Sequence, residues 1–246
     1  MTVHVLRRTR RRRSAWKNGG GSTEEVVISP PRSALSDFAW RVSIADVTRS
    51  GPFSAFEGVE RIIMVVDGAG LILDVDGVDH TLGPMQPLIF SGDVVTSARL
   101  IDGPTRDINV MTRRDVVTAD VTVVAVTACS KRDVRVAHDE ELVVLVASGQ
   151  VSMREVVTAL DDPEMIDARG MRDEPFAATL IAFDAVHQRG ASWMELSGDA
   201  VVVVVRVRHL ASPGTTVAHD EPMSKEDSQV GPIMFPSSSL VTPLGG

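Results

Sequence analysis

Three short apolar segments carry polar residues at alternate positions. In "WRVSI" Arg41 and Ser43 alternate with Trp40, Val42 and Ile44, and in "DINVM" Asp107, Asn109 and Met111 alternate with Ile108 and Val110. In "ERIIMVV" Arg61 keeps parity with Ile63 and Val65, opposite Glu60, Ile62, Met64 and Val66. Side chains alternate between the two faces of a strand, so each polar set shares one face. On an ordinary sandwich those faces would meet solvent. In a barrel with a polar lumen and a covered outer face, Arg41, Ser43, Arg61, Asp107 and Asn109 would converge inside. A guanidinium binds a carboxylate through two parallel hydrogen bonds, and a buried one requires such a partner. Asn109, Ser43 and Thr23 could read amide or hydroxyl groups, with Phe53 and Phe56 of "GPFSAFEG" as an apolar wall. That set describes a site for a small, anionic, polar metabolite.

The stretch "SAWKNGGGSTEE" has the ingredients of a phosphate loop in the wrong order. A P-loop places its lysine after the glycines, directly before Ser or Thr, and follows an apolar strand; here Lys17 precedes Gly19, Gly20 and Gly21. Two readings fit: a turn into a strand starting near Thr23, or a pocket rim built from Asn18, Thr23 and exposed glycine amides. The preceding "RRTRRRR", residues 7–13, reads as a surface strand whose charges protect an edge. Nucleic-acid binding is disfavoured because aromatic residues for base stacking are not interleaved with the arginines.

Other chemistries find less support. The six histidines, His4, His80, His138, His187, His209 and His219, form no His-x-His pair of the kind metal-dependent cupins use, so no metal and no cofactor are expected. "DVDGVDH" lacks the spacing of a calcium loop and reads as a hairpin with an Asp-Gly turn. No serine stands in a G-x-S-x-G elbow. The single cysteine, Cys129, follows "VTVVAVTA" and is expected to be buried; with no second cysteine an internal disulfide is excluded, which points to a reducing compartment.

Positioning these residues falls to valine-rich segments of four to eight residues between Gly, Pro and Asp punctuation. The pattern predicts an all-β protein of sandwich or barrel type, with a short helix over residues 152–160, "SMREVVTAL". A faint repeat refines it: "ERIIMVVDG" aligns with "ELVVLVASG", placing Gly68 and Gly149 81 residues apart, and "FSGDVV" resembles "LSGDAV", placing Gly92 and Gly198 106 apart. The difference, 25 residues, would fall in the polar stretch 160–176. The expected architecture is a bicupin, two cupin-like jelly-roll units in one chain. Residues 1–115 would form the unit with the pocket, and residues 116–246 a structural or interface unit in which Leu142 takes the place of Arg61.

A net charge of −8 argues against a general nucleic-acid binder. The longest wholly apolar runs, such as "AVVVVV", are too short to span a membrane, and no apolar core of a secretory signal follows the N-terminal charges. A cytoplasmic protein without a membrane or nucleic-acid partner is expected. A free lateral sheet edge would favour a homodimer.

In order, "WKNGGGSTEEV", "FAWRVSIADV", "GPFSAFEGVERIIMVVDGAGLIL", "LGPMQPLIFSGD" and "RDINVMTRR" resemble the HutD/Ves family over residues 16–114. The resemblance implies a bicupin fold and a non-catalytic bacterial role in histidine utilisation, regulating the pathway by binding N-formyl-L-glutamate. The positions it implies for ligand binding are Asn18, Thr23, Trp40, Arg41, Ser43, Phe53, Phe56, Arg61, Asp107, Asn109 and Met111. The alternative is a metal-independent cupin isomerase or hydrolase acting on a small polar acid, with Asp107 or Glu60 as general base.

Overall fold

The computed structural model describes residues 2–156 and 175–210. Among them there is no α-helix; apart from a 3-10 turn at Arg8–Arg10, the ordered elements are strands in three antiparallel sheets. The first sheet runs in the order β2 (Arg13–Ala15), β3 (Gly21–Ser29), β4 (Trp40–Val47), β11 (Thr105–Arg113), β6 (Val59–Asp67) and β9 (Pro87–Ser91). Across one of its faces lies a smaller sheet, β5 (Gly51–Pro52), β10 (Thr96–Leu100), β7 (Leu71–Val75) and β8 (Val78–Leu82). The third contains β1 (Thr2–Leu6), β16 (Ala185–Arg189), β14 (Glu140–Glu155), β17 (Ser192–His209) and β12 (Val117–Val126), with β13 (Arg132–Val136) on β17 and β15 (Ala177–Ile181) on β14.

The third sheet forms both layers of its own sandwich because two long strands fold over together. The bend falls at Gly149 and Gly198, both at positive φ. A Cβ on either would collide with the carbonyl of the facing strand, Asp199 or Gln150, so only glycine permits the approach. Inside the bend lies an apolar core that includes Leu142, Val144, Val202 and Val204.

The first sheet is covered on both sides. Trp40, Val42, Ile44, Ile62, Met64, Ile108 and Val110 pack against Val143, Leu145, Val203 and Val205 of the third sheet in one continuous core. Each such aliphatic side chain contributes about 1.5–3 kcal/mol relative to exposure. This contact frees the opposite face of the first sheet, turned toward the small sheet, to carry polar groups. Ile63 and Val65 close that side against Leu71, Leu73 and Leu82.

Register makes the two sandwiches comparable. Glu60 pairs with Ser91 and Thr112, and Glu141 pairs with Arg189 and Val207, so "ERIIMVVDG" and "ELVVLVASG" occupy equivalent strands. The second anchor is corrected: the equivalent of Ser91-Gly92 is Arg189-Gly190, not Ser197-Gly198, because β9 corresponds to β16. With that anchor Gly92 and Gly190 stand 98 apart, so the extra residues number 98 − 81 = 17 rather than 25, and they fall in one hairpin, since the short link from β7 to β8 corresponds to the link from β14 to β15. Most of that link, residues 157–174, lies outside the described residues. The expected helix is corrected over Ser152 to Glu155, which continue β14, and its remainder also falls there.

Two further expectations change. Strand β1, within the range assigned to the first unit, pairs along its length with β16. Cys129 is exposed, because β12 ends at Val126 and the chain turns back at Thr127 and Ser130.

Candidate functional site

On the polar face of the first sheet a cavity of about 800 Å³ opens between the strands and the segments at residues 12–18 and 52–56. Alternation on β4 brings in Arg41 and Ser43, β11 brings in Asp107, Asn109 and Met111, and β6 brings in Arg61. Register sets them in rows: Arg41 beside Met111 beside Arg61, and Ser43 beside Asn109. Thr23 comes from β3, and Asn18, Phe53 and Phe56 from the loops.

Trp40 is the exception and is corrected. It has no exposed surface, belongs to the core between the sheets, and lies edge-on to His187 at 5.3 Å. Parity already opposed it to Arg41. Glu60 likewise does not line the cavity.

The Arg61 guanidinium is 3% exposed and surrounded by the rings of Phe90, Phe56 and Phe53 at 5.0, 5.5 and 5.7 Å. Cation–π contact compensates part of the lost hydration. Its Nη1 donates to the Ser54 carbonyl at 3.2 Å, while Nε has no partner. Burial, assisted by the charge of Arg41 and opposed by Asp107, lowers the Arg61 pKa to about 10, so it stays charged at neutral pH. Asp107 is 1% exposed, and neither of its oxygens has a partner among the described residues. Burial, assisted by Asp46 and opposed by Arg61, raises its pKa to about 7. Oδ1 of Asn109 is also buried without a donor. Arg41 donates to Glu25 and Ser43, each at 3.2 Å.

The glycine loop is a rim, but not through free amides. Gly19 N–H donates to the Trp16 carbonyl at 3.0 Å, and Gly20 N–H donates to Asn18 Oδ1 at 2.9 Å. Gly19 supplies a positive φ, and Gly21 packs where a Cβ would strike the Asp46 carbonyl. The loop thereby places Trp16, whose Nε1 donates to Thr23 Oγ1 at 2.7 Å and whose ring meets Phe53 edge-on at 5.7 Å. Trp16, Lys17, Arg12 and Glu25 line the cavity although sequence reasoning did not select them. Trp16 and Lys17 stand in the quoted motif, a signal available but unused.

The arginines of residues 7–13 do not form one surface strand. Arg7 pairs with Asp184 at 2.8 Å, Arg8–Arg10 is the 3-10 turn, and Arg13 enters β2 and pairs with Asp46 at 2.6 Å. The run carries the chain from the third sheet to the first.

In the second sandwich the same register positions are apolar. Leu142 stands for Arg61, Val202 for Asp107 and Val204 for Asn109, and all three belong to its core. Among the described residues, no group of three or more His, Cys, Asp or Glu side chains is arranged to hold a metal ion. No helix among them is long and apolar enough to cross a membrane.

Two packed β-sandwiches, one with a polar lumen, define a protein of the cupin type. The chain belongs to the HutD family, whose model matches residues 8–174. It is similar to HutD from Pseudomonas fluorescens SBW25, at 29% identity and TM-score 0.67, with 85% of this chain and 100% of that one covered. A conserved protein of Pseudomonas aeruginosa PAO1, PA5104, matches at 29% identity and TM-score 0.70 over 86% of this chain and 100% of that one. The fold extends to YlbA of E. coli, at 10% identity and TM-score 0.62 over 85% of this chain and 91% of that one.

Proposed function

We propose that this protein is a non-catalytic ligand-binding regulator of histidine utilisation that holds a small carboxylate such as N-formyl-L-glutamate in the cavity of its first sandwich. The observation that supports this reading is the charge of the lining. Among the described residues of the lining, Arg12, Lys17, Arg41 and Arg61 face the acids Glu25 and Asp107, in a protein whose net charge is −8. Arg61 brings a buried guanidinium with an unused donor, and a ligand carboxylate would supply its counterion. The pathway assignment draws on the family and on the P. fluorescens relative, which carries the HutD name.

The experiment is calorimetric titration of the metal-stripped protein with N-formyl-L-glutamate, followed by analysis of the cell contents for product. Saturable binding with the compound recovered intact is the expected result. A second reading, a metal-independent isomerase or hydrolase, draws on Asp107, whose pKa near 7 suits a general base. It requires turnover that Asp107→Asn abolishes.

A further inference from the structure

The two sandwiches treat one sheet position differently. The register that sets Val202 for Asp107 and Val204 for Asn109 sets β12 for β4, with Thr122 in the place of Ser43 and Asp120 in the place of Arg41. In the first sandwich β4 lies inside the sheet, bonded to β11 on one side and to β3 on the other. In the second, β12 pairs with β17 along all 10 of its residues, and among the described residues no strand lies beyond it.

The direction of the free groups follows from one bond. Leu210 N–H donates to the Val116 carbonyl at 2.9 Å, one step beyond the pair Val117 and His209. Bonded positions alternate in an antiparallel pair, so even-numbered residues of β12 turn their backbone groups toward β17 and odd-numbered ones turn them outward. Ala125 conforms, its carbonyl accepting from Arg132 Nε at 3.1 Å. Ahead of it, Ala119, Val121 and Val123 present N–H and C=O groups that meet no other group among the described residues. Natural sheets blunt such edges with lysine, proline or a bulge. "VTADVTVVAV" has no lysine and no proline, and its register with β17 is unbroken. Its one charge, Asp120, is neutralised by Arg208 at 3.2 Å, and Val123 is 39% exposed.

We propose that the β12 edge is the interface between two copies of this chain, which pair antiparallel about a two-fold axis at Val121 and continue one sheet through both molecules. Self-pairing through odd positions requires the axis to pass through a residue of the strand. At Asp120 it would set two like charges face to face. At Thr122 it would set each Asp120 against a valine. At Val121 it sets Ala119 against the partner's Val123, and Asp120 against the partner's Thr122, whose hydroxyl donates to the carboxylate. The three central odd pairs then make about six backbone hydrogen bonds, two to a pair. The first sandwich shows the same arrangement within one chain, with β3 in the place that the second copy's β12 takes here.

The test is sedimentation equilibrium of the full chain across micromolar concentrations, alone and as Thr122→Asp and Thr122→Lys. Thr122 is exposed, so both variants should keep the melting curve of the unaltered protein. The unaltered chain should be a dimer. Thr122→Asp sets an acid against Asp120 at two places and should weaken the dimer by about tenfold, whereas Thr122→Lys should tighten it. Amide exchange at Ala119, Val121 and Val123 should slow as the dimer forms. A monomer at every concentration, or a dimer that responds alike to both variants, would overturn the proposal. Slow exchange of those amides in a monomer would assign the edge to another part of this chain and overturn it equally.

Discussion

Arg61 and Asp107 project from neighbouring strands into one cavity without pairing with each other. Arg61 stands opposite Met111 and Asp107 opposite Val65, four residues along the strand, a separation of about 13 Å at the usual rise. Each keeps an unused polar atom, Nε of Arg61 and both oxygens of Asp107. Both groups face the same cavity, so each is placed to meet a polar group of a small molecule bound there.

The burial of Asp107 has a stability consequence. Its folded pKa near 7 lies above the ordinary 3.8, so the folded state binds more protons than the unfolded state between those values. Its contribution is fully present below about pH 3.8 and is lost as pH rises through 7. Asp107→Asn should therefore stabilise the ligand-free protein at pH 8 by a few kcal/mol, because each tenfold change in proton affinity is worth about 1.4 kcal/mol, and should change little at pH 4. Chemical denaturation at both pH values measures it.

Glu141 behaves in the opposite sense. Burial works to raise its pKa, but hydrogen bonds from His187, Arg189 and His209 outweigh burial and bring it to about 2. Arg189 also reaches Ser29 at 3.2 Å, tying the two sandwiches together. This contribution is present above pH 4.5 and is lost as pH falls toward 2. Glu141→Gln should cost about 1–3 kcal/mol at neutral pH, because its partners Arg189 and His209 are half-exposed, and acid denaturation between pH 4.5 and 2 should become shallower in the variant.

Strand parity makes the polar face of the first sheet legible, because Arg41, Ser43, Asp107 and Asn109 need only local alternation to share a side. The same parity speaks against Trp40. Local similarity misleads at Gly198, where "LSGD" imitates "FSGD" although β9 is equivalent to β16; only strand pairing separates the two. Trp16 and Lys17 stand in the quoted motif, but their place at the rim is set by the local hairpin that pairs β2 with β3 across the glycine turn, which strand alternation by itself does not reveal. Cys129 is exposed against expectation because the apolar run before it ends in a turn rather than continuing inward.

Trp16 gives the cavity an optical signal. It lines the mouth, whereas Trp40 is sealed in the core between the sheets. A ligand that enters should change tryptophan emission in the unaltered protein and in Trp40→Phe, and the change should vanish in Trp16→Phe. Fluorescence titration of the three proteins checks this.

Gly21 should tolerate no side chain. Its Cβ would strike the Asp46 carbonyl, and Asp46 holds Arg13 and Arg106, each at 2.6 Å. Gly21→Ala should lower stability by about 1–3 kcal/mol through overpacking and weaken ligand binding by displacing the rim. A melting curve and a titration of the same variant separate the two effects.

On the proposed function, Arg61 holds a small carboxylate in the first sandwich, while the second sandwich supports the first without a site of its own. The most direct measurement is titration of N-formyl-L-glutamate into the unaltered protein, Arg61→Ala and Leu142→Val, the last altering the residue that stands for Arg61 in the second sandwich. Saturable binding that Arg61→Ala weakens by about 2–5 kcal/mol and Leu142→Val leaves unchanged is the predicted result. Unchanged affinity in a folded Arg61→Ala protein would contradict it.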